Sequence, residues 1–109
     1  MKKPTDAEIW KMSVTLKSAL KATRLKWSWI CQATKKDLLS GNWPDCGLCI
    51  YYRNYAGCGT CPLKSCLEEN DLFYKAKIAY GLLLHHEITL FRFRTIAKRM
   101  LKKIKAIKI

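Results

Sequence analysis

The chain has 109 residues, which bounds it to about one domain, and its formal net charge is +13. Half of the residues are hydrophobic, and four Trp, five Tyr and three Phe exclude a disordered polar tail. No apolar run approaches the ~18 to 20 residues of a membrane span, and Pro4-Thr5-Asp6-Ala7-Glu8 stands where a signal peptide would place its apolar core.

Thr5-Asp6-Ala7-Glu8 reads as a capping box, with two acids suited to the positive end of a helix dipole. Ile9, Met12, Leu16, Leu20, Thr23, Trp27 and Ile30 then recur at steps of three or four. No Gly or Pro interrupts them before residue 40, so one long N-terminal helical arm is expected over 5–40. Lys17, Lys21 and Arg24 form a second stripe about a quarter-turn away, which Lys35 extends if the helix runs on. Trp10, Val14, Leu25 and Trp29 lie off the main stripe, where a neighbouring helix would bury them in part. Thr34-Lys35-Lys36-Asp37 suits a short restart through Leu39, and Ser40-Gly41-Asn42 reads as a stop. Trp43-Pro44-Asp45 should run extended into the cysteine-rich stretch.

Cys46-Gly47-Leu48-Cys49 is followed after eight residues by Cys58-Gly59-Thr60-Cys61-Pro62, and then by Cys66. A CxxC turn aims two sulfurs at one point about 2.3 Å from each, and two facing turns make the tetrahedral thiolate cage of a structural zinc site. Cys46, Cys49, Cys58 and Cys61 are the expected ligands, with Cys66 as a rival fourth ligand. A four-thiolate site leaves no open position for water, so its role would be to staple the fold over 43–67. Disulfides, an iron–sulfur cluster and a thioredoxin-like redox pair are the weaker readings. The first needs an oxidising compartment, the second a tighter cysteine run, and the third a βαβ frame absent here. Cys31, beside the first apolar stripe, reads as a small buried hydrophobe. Ile50-Tyr51-Tyr52-Arg53-Asn54-Tyr55 is β-prone and suits half of a short hairpin between the two knuckles.

Beyond Cys66, Leu72, Phe73, Ala76, Ala79, Tyr80 and Leu83 share a helical face interrupted by Gly81, which suggests a kink or a close helix contact. Leu90, Phe93, Ala97, Met100, Leu101, Ile104 and Ile107 form another face. Residues 71–107 are therefore one bent helix or two helices broken near His85, within a C-terminal arm over 70–109. The expected fold is mainly α, with helical arms around a small cysteine module and little or no β.

Charge is unevenly placed. Ile9 to Lys36 and Ile88 to Ile109 carry seven and eight basic residues and no acid, whereas Asp37 to Tyr74 is net acidic. A solvated lysine face is the ordinary explanation, yet solubility alone is served by mixed signs. Phosphate binding with counterion release accounts for two acid-free arms. Lys17, Lys21, Arg24, Arg92, Lys98, Arg99, Lys102 and Lys103 are the candidate contacts to nucleic acid or another partner. Trp29, Tyr51, Tyr52 and Tyr55 offer rings for base stacking, or serve only as packing. A basic tail on an anionic membrane or an acidic protein is the remaining reading.

His85 and His86 are adjacent and point about 100° apart on a helix, so they do not chelate together. One buried ring and one exposed ring are expected. No phosphate-cradling glycine loop, HExxH or deaminase signature is present, and no enzyme activity is expected.

The run Cys46-x-Leu48-Cys49-x-x-Tyr52, Cys58-x-x-Cys61-Pro62-Leu63 and Cys66 resembles a group of small cysteine-rich proteins from bacteriophages and prophages. Those proteins carry a tryptophan-containing helix before the motif and a helix with a central Glu after it. Trp27 or Trp29 and Glu87 take comparable places. This chain departs at Gly59-Thr60, where a glycine directly before Cys61 belongs to the pattern, and it is more basic. The resemblance implies a metal-binding accessory phage protein in the cytoplasm of a bacterial host. Two functions follow as expectations. One is non-enzymatic binding of nucleic acid or a nucleoprotein complex through basic helices. The other is inhibition or adaptation of a host defence or transcription complex through a protein interface.

Overall fold

The computed structural model describes residues 2–39, 46–56 and 72–107. Six α-helices and one π-helical turn make up most of these residues, and no strand occurs among them. The helices are α1 (Asp6–Met12), α2 (Leu16–Gln32), α3 (Lys35–Leu39), α4 (Gly47–Tyr51), α5 (Leu72–Leu84) and α6 (Leu90–Lys105). The turn, Tyr52–Ala56, continues α4. The protein is mainly α, as its periodicity predicts.

Threonines start four of the helices by accepting the backbone N–H three residues on. The pairs are Thr5 with Glu8, Thr15 with Ser18, Thr34 with Asp37, and Thr89 with Arg92. At α1 the Thr5 hydroxyl also donates to the Glu8 carboxylate at 3.1 Å, so the two residues of the expected capping box pair through their side chains. The short restart expected at Thr34 is α3.

The single long N-terminal helix is not formed. It breaks at Ser13-Val14-Thr15 into α1 and α2. Ser13 turns its hydroxyl back to the Ile9 carbonyl, and extended Thr15 then caps α2 with its own side chain. Hydroxyls that offer the backbone a local partner compete with helix at such positions. The break lets α1 fold back along α2. Ile9 and Met12 pack there with Ala22 of α2 and Ile50 of α4.

α2 is the central element, and α6 lies antiparallel against it. Leu20, Trp27 and Ile30 share a core with Phe93, Ala97, Met100 and Ile104 of α6. Leu48, Tyr52, Ala76, Ala79 and Leu83 join it. The two acid-free segments thus contribute the main packed helices as well as surface charge. Two arginines lock this pair reciprocally. Arg24 of α2 donates to the carbonyls of Lys105 and Ile107 at the end of α6, at 3.4 and 3.2 Å. Arg94 of α6 donates to those of Ala33 and Gln32 at the end of α2, at 2.9 and 3.5 Å. Each guanidinium meets the negative end of the other helix, where the last carbonyls need donors.

Residues 72–107 form two helices. α5 ends in a Schellman arrangement: Glu87 N–H bonds Leu82 O at 2.8 Å and His86 N–H bonds Leu83 O at 3.1 Å. His86 holds the left-handed position, with φ 59°, that glycine usually takes. Both histidine rings are exposed, so neither is the buried contact that the sequence suggested. Gly81 sits within α5 and makes no close helix contact among the described residues, since a Cβ there would meet none of them within 4 Å. Gly81→Ala should therefore stabilise the protein by about 0.5 to 1 kcal/mol, measured by urea unfolding.

The tyrosine-rich segment is helical, correcting the hairpin expectation. Asn54 donates to Ile50 O at 2.9 Å, and Tyr51 meets Tyr52 edge-on at 5.2 Å between centroids. Packing of α4 on α2 overrides the β propensity of these residues. The expected stop at Ser40-Gly41-Asn42, the Trp43-Pro44-Asp45 lead-in, the second knuckle with Cys58 and Cys61, and Cys66 lie outside the described residues.

Candidate functional site

Two features carry chemistry. The first is the amino-terminal cysteine pair. Cys46 is the N-cap residue of α4 and Cys49 lies in its first turn, so the CxxC spacing closes one helical turn around the Cys46 sulfur. Fully buried Thr23 of α2 ties this turn down. Its hydroxyl donates to Ala19 O at 3.0 Å, accepts Leu48 N–H at 3.0 Å, and lies 3.9 Å from Cys46 Sγ. The close approach depends on Gly47, whose Cα faces the Ala19 carbonyl and the Ala22 methyl.

The Cys46 thiol is acidified to about 5. The hydrogen bond from the Cys49 side chain is the main cause. Burial opposes it, while the Lys26 ammonium and the Cys49 backbone N–H add to it. Lys26 is only 4 % exposed, and its ammonium also lies 5.6 Å from the Trp27 ring centroid. Cys31, in contrast, has its thiol raised by burial, with Lys98 and Lys105 opposing. It behaves as the buried small hydrophobe its place in the stripe suggests.

A depressed thiol pKa is a ligand-like property, because the thiolate is the form that binds metal. Cys46 and Cys49 fit half of a tetrahedral thiolate site. Among the described residues no group of three or more metal-ligating side chains gathers, and the remaining cysteines of the motif lie beyond them. The folded pKa lies below the ordinary 9.0. The thiolate's contribution to stability is therefore complete above pH 9 and is lost as pH falls through about 5. In the metal-free protein, the ultraviolet absorbance of one thiolate should persist down to about pH 5. Lys26→Met should move that step to higher pH, since it removes the neighbouring positive charge.

The second feature is the outward face of α6. Phe93, Ala97, Met100 and Ile104 face the core, which turns Arg92, Lys98, Arg99, Lys102 and Lys105 to the exposed side. From Arg92 to Lys105 this row extends for about 20 Å at the helical rise, without an acid. Lys103 is half-buried on the flank. Lys105, left out of the sequence-derived set, belongs to the row. Its register with Lys98 and Lys102 was the available signal.

The candidates on α2 divide. Lys17 and Lys21 are exposed, whereas Arg24 is half-buried and committed to the end of α6. The proposed stacking rings divide as well. Trp29 and Tyr52 are buried and present no face to a base, Tyr51 is half-buried, and Tyr55 is exposed. Lys3 covers the Trp29 ring at 5.3 Å from its centroid. Among the described residues, no helix is long and apolar enough to cross a membrane.

Fold and site together define a small helical protein with a cationic helix face and a cysteine turn held in the core. No family model, curated protein or solved structure matches the chain.

Proposed function

We propose that this is a non-enzymatic, zinc-stabilised accessory protein of the phage type, which holds nucleic acid or a nucleoprotein complex by its cationic helices. The observation that carries the reading is the acid-free outward face of α6, rigidly presented because its inner face is packed on α2. Lys17 and Lys21 on α2 add further exposed cations. Such a row suits a phosphate backbone, for which affinity comes from charge neutralisation and counterion release. With one exposed tyrosine among the four proposed stacking rings, the surface favours backbone contact over base reading.

Zinc would be held by Cys46 and Cys49 together with Cys58 and Cys61, or with Cys66 in place of one of them. Four thiolates on Zn²⁺ leave a net charge of about −2, which the buried Lys26 ammonium beside Cys46 would partly offset. Bound there, the metal would serve to tie Cys46 and Cys49 of the α4 turn to the later cysteines of the motif.

Native mass spectrometry of the purified chain, with salt-titrated binding to duplex and single-stranded nucleic acid, tests both parts. One zinc per chain is expected, together with binding that weakens about 10³-fold or more between 50 and 200 mM salt for six or more contacts. Absence of binding at low salt would refute the nucleic-acid reading. Disulfides without metal would refute the zinc reading.

A further inference from the structure

We propose that the groove between α5 and α6 docks an acidic amphipathic helix of a protein partner. This inference goes beyond the nucleic-acid reading and rests on an apolar groove that shares only Arg92 and Arg99 with the cationic face of α6. The groove encloses about 790 Å³. Its floor and walls are aliphatic and aromatic: Ile78 and Leu82 from α5, Ile88 before α6, and Phe91 and Ile96 from α6. Phe91 is 80 % exposed and Ile78 is 50 % exposed. Large apolar side chains gathered beside one groove, and left to water, mark an interaction surface more often than isolated ones do.

The shape selects a helix. α5 and α6 form a helical hairpin joined through His85–Thr89, with Leu82 and Ile88 near the turn and Lys75 and Arg99 towards the far end. A third helix laid along such a pair buries an apolar face through anchors at i, i+3 or i+4, and i+7.

Charge selects its flanks. Lys75, Arg92 and Arg99 line the groove, and among the described residues no carboxylate does. A partner with glutamates or aspartates beside its apolar stripe is complementary to that rim. A second copy is disfavoured, because it would bring the same three cations and a further +13 to the contact. Nucleic acid is disfavoured in the groove itself, because Ile78, Leu82, Ile88 and Ile96 line it with aliphatic surface that offers a phosphate backbone no charge or hydrogen bond. Arg92 and Arg99 belong to both surfaces, so an acidic helix in the groove competes with nucleic acid on α6.

The test uses the full chain and a synthetic helical peptide with leucines at i, i+3, i+4 and i+7 flanked by glutamates. Titration calorimetry gives the affinity, and amide NMR shifts give the place. Binding is expected, with shifts centred on Ile78, Leu82, Phe91 and Ile96. Phe91→Ser should weaken it about tenfold or more, as loss of an anchor contact does. Phe91 is exposed, so this variant should fold normally, and its affinity for nucleic acid should be unchanged. A scrambled peptide of the same composition should not bind. Equal binding by the scrambled peptide, indifference to Phe91→Ser, or shifts confined to Lys98–Lys102 would each overturn the proposal. So would Phe91-dependent binding of phosphatidylglycerol vesicles without binding of the peptide, which would assign the groove to lipid. None of these outcomes depends on whether nucleic acid binds.

Discussion

Gly47→Ala should destabilise the protein by about 2 to 4 kcal/mol, although alanine is ordinarily the better helix former by about 1 kcal/mol. The added Cβ would stand 2.5 Å from the Ala19 carbonyl oxygen and 2.9 Å from the Ala22 Cβ. Neither atom is the end of a flexible side chain, so α4 must move away from α2. Overpacking of this kind costs about 1 to 3 kcal/mol. The movement also draws Leu48 N–H from the Thr23 hydroxyl, and an orphaned buried donor costs about 1 to 3 kcal/mol more. Urea unfolding should show a lower midpoint at unchanged slope. Gly81→Ala is the internal comparison, because the same substitution with no described residue near the added Cβ should stabilise where Gly47→Ala destabilises. Equal signs for the two substitutions would refute the close α2–α4 contact as the reason for glycine at 47.

The second large effect is on binding. Lys98, Lys102 and Lys105 are exposed on α6 and do not line the groove. Replacing all three with glutamine should lower nucleic-acid affinity about 10²-fold near 0.1 M salt and flatten the logarithmic salt slope by about 2 to 3. Stability should change little, since the three side chains lie at the surface. The peptide affinity of the α5–α6 groove should also change little, and that separates the two surfaces. An unchanged salt slope in the triple variant would exclude α6 as the phosphate-binding element.

Each surface has a distinct physical origin. On α6, a narrow inner stripe of Phe93, Ala97, Met100 and Ile104 satisfies the core and leaves most of the circumference for lysine and arginine. On α5, the core takes Ala76, Ala79 and Leu83, so small residues bring the helices together. Ile78 then remains at the edge and is not covered by the described residues.

Much of the helical architecture was determined by sequence alone. The apolar steps of α2 and α6, the Thr5–Glu8 box and the short helix after Thr34 follow from local rules of period and capping, which act within a few residues. The acid-free row on α6 was legible for the same reason, since register along one helix decides which side chains share a face. Cys46 and Cys49 were legible as a pair, because CxxC spacing is itself a local geometry.

Tertiary contact decided the rest. The break at Ser13–Thr15 carries no Gly or Pro, and it pays because α1 can then bury Ile9 against Ala22 and Ile50. The helical state of Tyr51–Tyr55 depends on Gly47 seating α4 against α2, which no property of the tyrosines announces. Arg24 looked like a surface cation by its stripe. Its role as a cap for α6 arises from a contact 81 to 83 residues away. The acidity of Cys46 likewise draws on Lys26, which α2 delivers from 20 positions earlier in the chain. Period and capping are read along one helix, whereas each of these features is set by what a second helix places beside it.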